Sequence, residues 1–252
     1  TKMITSRPAI ILFGDSITQQ GFSSAGNYSP GWVGLLSNAY ARRADVFNRG
    51  FSGYNTRHAV NLLPKVFGQE MNSNRTLFVT VFFGANDASL PGEREHNQHV
   101  PIDEFEVNLR HIVQDVGSKL HETPIILITP PPLDEKSWDK YCRQEFNDVS
   151  PRSNAQSKAY GERVKLVADE MGCYLVDSFS LLGGNSDVSV YGTALEDGLH
   201  LSAEGNKLLY NGLMDVIKRD LPYLTPKVNE EAGIAMEGAQ WKDLFKYNRN
   251  TF

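Results

Sequence analysis

Cysteine is scarce in this sequence, and its two examples, Cys142 and Cys173, stand far apart. Two isolated thiols cannot build a disulfide framework, and no Cys or His pairing has zinc-ligand spacing, so reduced thiols and no metal are expected. Long hydrophobic runs are missing as well. No apolar stretch approaches the roughly 20 residues of a membrane span, and the first residues lack the charged-then-apolar pattern of a signal peptide. A soluble, cytoplasmic protein is the expectation. Positive charge is nowhere concentrated: 25 Lys and Arg against 30 Asp and Glu give a net charge of -5, with no basic stripe to track phosphates. That excludes nucleic acid as an expected partner. A nucleotide-binding loop is also absent, since there is no Gly-x-x-x-x-Gly-Lys-Ser/Thr and the first turn holds one glycine rather than the dinucleotide set.

What is present is enough for a core: 252 residues, 40% of them hydrophobic. Residues 9–13, Ala-Ile-Ile-Leu-Phe, form an apolar run too short for a helix and read as a buried strand. Further strands are expected at 46–48, 76–83, 124–129 and 173–177, and helices at 31–41, 56–65, 153–170 and 203–219, the last capped by Ser202. Between 102 and 120, Ile102, Phe105, Leu109, Ile112, Val113, Val116 and Leu120 recur at helical spacing and give one apolar face. Strands alternating with helices imply an α/β domain whose parallel sheet is covered on both faces, joined by right-handed crossovers. No repeat or linker divides residues 1–252. Residues 130–151 read as a long polar and aromatic loop, a candidate substrate-binding flap. The tail 223–252 carries Trp241, Leu244 and Phe245 and is expected to dock, either on its own domain or across a homodimer.

Three of the expected strands run straight into small and polar residues: Gly14-Asp15-Ser16, Gly50-Phe51-Ser52-Gly53 and Gly84-Ala85-Asn86-Asp87. Parallel strands aim these turns at one rim, where open α/β sheets place their ligands. A fourth cluster, Asp197-Gly198-Leu199-His200, lies just ahead of the last helix. Each cluster alone reads as an ordinary turn. Together they supply what acyl transfer requires. Ser16 is a candidate nucleophile, His200 the base that takes its proton, and Asp197 the carboxylate that holds the imidazole in the right tautomer. The N–H groups of Ser16 and Gly53 and the Asn86 amide are candidate donors to the oxyanion, with Gly53 keeping a Cβ out of the way. Asp15 is expected to fix the turn through backbone N–H groups, and Asp87 to brace Asn86. His58, His96, His99, His111 and His121 read as surface or packing residues, and Trp32, Trp138 and Trp241 as packing or pocket residues.

These blocks resemble those of the SGNH (GDSL-type) hydrolase superfamily: Gly-Asp-Ser, a glycine, Gly-x-Asn-Asp, and Asp-x-x-His before the final helix. Ile17 stands where the family name has leucine. A closer resemblance, to the isoamyl acetate-hydrolysing esterase subfamily, is carried by "FGDSITQQGF", "NRGFSGYNTR", "FFGANDA", "ITPPPLDEKSW", "DGLHLSAEGN" and "QWKDL". The resemblance implies a three-layer α/β/α sandwich around a flavodoxin-like, five-stranded parallel sheet. It implies the same roles for Ser16, Gly53, Asn86, Asp197 and His200, no cofactor, and short-chain carboxylic esters, acetates especially, as small-molecule substrates. An acyltransferase or carbohydrate deacetylase using the same site is the alternative; a binding module that keeps the pocket without chemistry is the rival from another class.

Overall fold

The computed structural model describes residues 7–24, 29–68, 75–91, 98–147, 149, 152–226 and 233–234. Its centre is a parallel sheet of β1 (Ala9–Gly14), β2 (Asp45–Gly50), β3 (Thr76–Phe82), β4 (Ile125–Ile128) and β5 (Tyr174–Val176), in the order β2-β1-β3-β4-β5. This is the flavodoxin-like order, whose direction of winding reverses between β1 and β3. The helices are α1 (Ser16–Gln19), α2 (Trp32–Ala39), α3 (Thr56–Val66), α4 (Ile102–Lys119), α5 (Glu135–Phe146), α6 (Asn154–Glu170), α7 (Ser178–Leu181), α8 (Val188–Tyr191) and α9 (Ala203–Asp220).

Strand side chains alternate between faces, and the core divides accordingly. Ile10, Leu12, Phe78, Phe82, Ile126 and Ile128 pack with residues of α2, α5 and α9. Ile11, Phe13, Val79, Val81 and Leu127 pack with α3, α4 and α6. Three layers follow from that period of two. The apolar stripe expected along 102–120 does face the sheet: Phe105, Leu109, Ile112, Val113 and Val116 are buried. Ser202 caps α9 as expected, its hydroxyl accepting from Gly205 N.

The 130–151 segment differs from its expected loop. After three prolines, Asp134 accepts from the N–H groups of Lys136 and Ser137 and starts α5, a three-turn helix. Trp138 and Cys142, one turn apart, bury its inner face, while Arg143 pairs with Asp139 outside. Prolines ahead of the helix and a polar composition within it hide that short stripe. Of the tail, Leu224 is buried and its carbonyl accepts from the Tyr40 hydroxyl at 2.8 Å, and Ile234 packs against the α2 and α9 layer. The aromatic stretch 240–245 lies outside the described residues, as does His96. No helix among the described residues is long and apolar enough to cross a membrane.

Candidate active site

The first three polar turns leave neighbouring strands at their carboxyl ends. Gly14 pairs with Gly50 on one side and with Phe82 on the other, so the segments after β1, β2 and β3 emerge together. Phe51 N donates to Gly14 O at 2.8 Å, and Asp15 N to Phe82 O at 3.3 Å, which ties the turns to one another. Asp15 caps α1 by accepting from Ile17 N at 2.9 Å, as expected. Its other carboxylate oxygen is buried without a partner. Burial outweighs the Ile17 bond and pushes the Asp15 carboxyl up to about 7. Ser16, the first residue of α1, is thereby held at the top of the sheet.

The fourth cluster closes on itself. Leu195 and Leu201 form an antiparallel bridge, and Glu196 N donates to His200 O at 2.8 Å. Inside this loop Asp197 Oδ1 accepts from Leu199 N and His200 N, and Asp197 Oδ2 lies 2.6 Å from His200 Nδ1. A carboxylate only accepts, so the imidazole proton sits on Nδ1 and leaves Nε2 as an acceptor. His200 Nε2 is 2.9 Å from Ser16 Oγ. Burial works to raise the Asp197 pKa, but the bonds from His200 and two backbone amides prevail and hold it below the usual carboxylate value.

Gly198 makes that loop possible, with φ near +99° and a Cβ position that would fall 2.5 Å from Trp138 N and 2.6 Å from Asp134 O. Asp134 N donates to Gly198 O at 2.9 Å. The N-terminal turn of α5 is therefore the platform for the imidazole, and Trp138 meets the His200 ring edge-on at 5.9 Å.

The candidate oxyanion donors, Gly53 and Asn86, are held by contacts from elsewhere in the chain. Gly53 has φ near +80°, and the atom nearest its missing Cβ is Gln98 Nε2 at 3.3 Å, so backbone conformation requires glycine here more than crowding does. Asn86 Nδ2 donates to Tyr54 O at 2.9 Å, which joins the Gly53 turn to the Asn86 turn. Asp87 does not brace Asn86. Its Oδ1 accepts from both the N–H and the hydroxyl of Thr56, fixing the start of α3, and burial pushes its carboxyl up to about 6. Arg152 donates to Ala85 O, to Asn86 Oδ1 at 3.1 Å and to Gln98 Oε1 at 2.6 Å, and its guanidinium lies over the Trp138 ring. Burial lowers the Arg152 pKa to about 10, which still leaves it charged at neutral pH.

Trp138, Gln98 and Arg152 were absent from the candidate site in the sequence, apart from Trp138 as a possible pocket residue. Arg152 did carry one signal. It stands immediately before Ser153, the cap of α6, where a cation opposes the helix dipole and so needs another reason to be there. Two of the other histidines have structural partners: His58 completes a capping box with Asn55, and His99 Nδ1 lies 2.6 Å from Ser89 O. Beside His200 opens a cavity of about 430 Å³ whose walls include Ile17, Leu201 and Tyr141 together with Gln20, Ser23 and Glu196.

A serine, an imidazole and a carboxylate thus stand in one hydrogen-bonded line, an arrangement that can carry acyl transfer. Residues 12–208 match the model of the GDSL-like Lipase/Acylhydrolase family. The chain belongs to this family. With that membership it is an ester hydrolase. It is 41% identical over 224 residues to the mouse (Mus musculus) isoamyl acetate-hydrolyzing esterase 1 homolog, covering 87% of this chain and 86% of that protein. The human (Homo sapiens) homolog is 39% identical over 223 residues, with the same two shares. Among solved structures, a lipase/acylhydrolase from Enterococcus faecalis superposes with a TM-score of 0.64 at 26% identity, covering 92% of this chain and 100% of that one. A catalytic mutant of Axe2, an acetylxylan esterase from Geobacillus stearothermophilus, gives 0.62 at 26% identity over 85% of this chain and 95% of that one.

Proposed function

We propose that this GDSL-family hydrolase cleaves short-chain carboxylic esters, acetates foremost, through an acyl-enzyme on Ser16. The observation that carries the reading is the unbroken line Ser16 Oγ, His200 Nε2, His200 Nδ1, Asp197 Oδ2, with contacts of 2.9 and 2.6 Å. His200 takes the Ser16 proton as Oγ attacks the ester carbonyl. Negative charge on the former carbonyl oxygen rests on the N–H groups of Ser16 and Gly53 and on the Asn86 amide. The tetrahedral intermediate collapses, the C–O bond to the alcohol breaks, and the alcohol leaves with the proton held by His200. Water, deprotonated by the same imidazole, then attacks the acyl carbon and frees the acid and Ser16.

A leaving group must stand within reach of the imidazole that protonates it, so the cavity beside His200 is the place for the alcohol. Its size is at the lower end for small-molecule sites. The relatives named for isoamyl acetate hydrolysis support a small ester of this kind.

One observation favours a second reading. Gln20, Ser23 and Glu196 bring polar groups to the same cavity, and a structural neighbour is an acetylxylan esterase. Deacetylation of a hydroxylated alcohol, or transfer of the acyl group to one, uses the same residues. Hydrolysis of p-nitrophenyl esters from acetate to decanoate by the wild type and Ser16→Ala tests the main reading. Activity confined to short chains and lost in the variant supports it; equal activity in both removes Ser16 from the scheme. A rate enhanced by added sugar or alcohol would favour the transferase.

A further inference from the structure

An oxyanion hole works only if its donors are already aimed before charge develops. Asn86 could present either end of its amide to the substrate, and the Gly53 turn is a half-buried loop. Neighbours of opposite character settle both. Arg152 offers only donors, so its bond to Asn86 Oδ1 at 3.1 Å forces the amide nitrogen to the other side. There one Nδ2 hydrogen goes to Tyr54 O at 2.9 Å, and the second is available to an oxyanion. Gln98 Nε2 donates to Gly53 O at 2.8 Å, while Gln98 Oε1 accepts from the same Arg152 nitrogen at 2.6 Å. Gln98 is itself anchored, its carbonyl accepting from Asn55 Nδ2 at 3.0 Å at the start of α3.

We infer that Gln98 and Arg152 form a positioning clamp on the oxyanion hole: Arg152 sets the flip of the Asn86 amide, Gln98 holds the Gly53 carbonyl, and the bond between them makes two separate turns one rigid unit. The inference rests on the proposed oxyanion role of Gly53 and Asn86. A guanidinium is suited to this place because its fork reaches Ala85 O through Nη1 while Nη2 serves both Asn86 and Gln98. A lysine ammonium keeps the charge beside Asp15 and Asp87 but has no fork. The same guanidinium lies 5.5 Å over Trp138, whose edge meets His200, so the clamp also abuts the platform of the base.

The test is kcat and KM for p-nitrophenyl acetate in Arg152→Lys, Arg152→Met, Gln98→Leu, Asn86→Ala and the double variant Arg152→Met/Asn86→Ala, each checked by thermal unfolding. Both Arg152 variants are expected to lose about 10–100-fold in kcat, the usual cost of a supporting residue, with KM within about twofold. Asn86→Ala is expected to lose about 10²–10³-fold. The double variant should fall well short of the product of the two single losses, since the clamp then has no amide to aim and only the Gly53 turn left to hold. Wild-type kcat in Arg152→Lys, or losses that multiply in the double variant, would overturn the clamp while leaving the oxyanion role of Asn86 intact. Near-normal kcat in Asn86→Ala would overturn the oxyanion reading itself. Should the Arg152 variants fail to fold, Gln98→Leu carries the test alone: a drop in kcat at constant KM supports the clamp and an unchanged kcat overturns it.

Discussion

The two halves of the proposed site, base and oxyanion donors, are built in opposite ways. The base half is local: residues 195–201 close on themselves, with Asp197 bonded to the backbone and side chain of His200 three positions away. The oxyanion half is distributed: Gly53 and Asn86 follow different strands and depend on Gln98 and Arg152 from two further connections. A local device keeps its pairing within a few residues of chain and leans on one outside support, the Asp134–Trp138 turn of α5. A distributed one can be weakened from a distance.

That contrast can be pressed by substitution. At the base half, Ser16→Ala is expected to lower kcat by about 10⁴–10⁶-fold, leaving the rate supplied by binding and the oxyanion donors. Asp197→Asn comes next, about 10⁴-fold, because an amide at this position permits the wrong imidazole tautomer. Steady-state kinetics beside an unfolding curve would check both, and a Ser16→Ala protein that keeps wild-type turnover would break the account. At the oxyanion half, Gly53→Ala forces an L-residue to φ near +80°, which costs about 1–2 kcal/mol and shifts the turn. Its unfolding midpoint and kcat should fall together, whereas the serine variant loses kcat alone.

The smallest expected effect concerns stability and pH. Burial raises Asp15 to about 7 and Asp87 to about 6, so the folded chain holds these protons where the unfolded chain, near 3.8, has released them. Their contribution is complete below about pH 4 and is lost as pH rises toward 7. Asp15→Asn keeps an acceptor for Ile17 N and cannot ionise. The Tm of Asp15→Asn relative to wild type should therefore climb between about pH 4 and 7; a difference that stays flat would contradict the assignment.

The same contrast explains what could be read in the sequence. Strands β1, β3 and β4 are apolar runs flanked by turn residues, and α4 has a regular stripe, so the layered sheet follows from local pattern. Asp197 and His200 are close enough in the chain for their pairing to be foreseen. Contacts between distant segments leave no such trace. The bond from Asp87 to Thr56, the fork of Arg152 and the reach of Gln98 are polar contacts that become visible only once the crossovers bring their segments together. Helix α5 leaves little trace in the sequence because its buried face is two residues wide, Trp138 and Cys142, in a polar helix that follows prolines.

The central claim is that Ser16, activated by His200, carries the acyl group. The most direct measurement is labelling with a fluorophosphonate, followed by peptide mass analysis of wild type, Ser16→Ala and His200→Ala. The account predicts one label per wild-type chain, on the peptide holding Ser16, complete loss of esterase activity at full labelling, no label in Ser16→Ala and slowed labelling in His200→Ala. Full labelling of Ser16→Ala, or ester turnover that survives complete modification of Ser16, would contradict it.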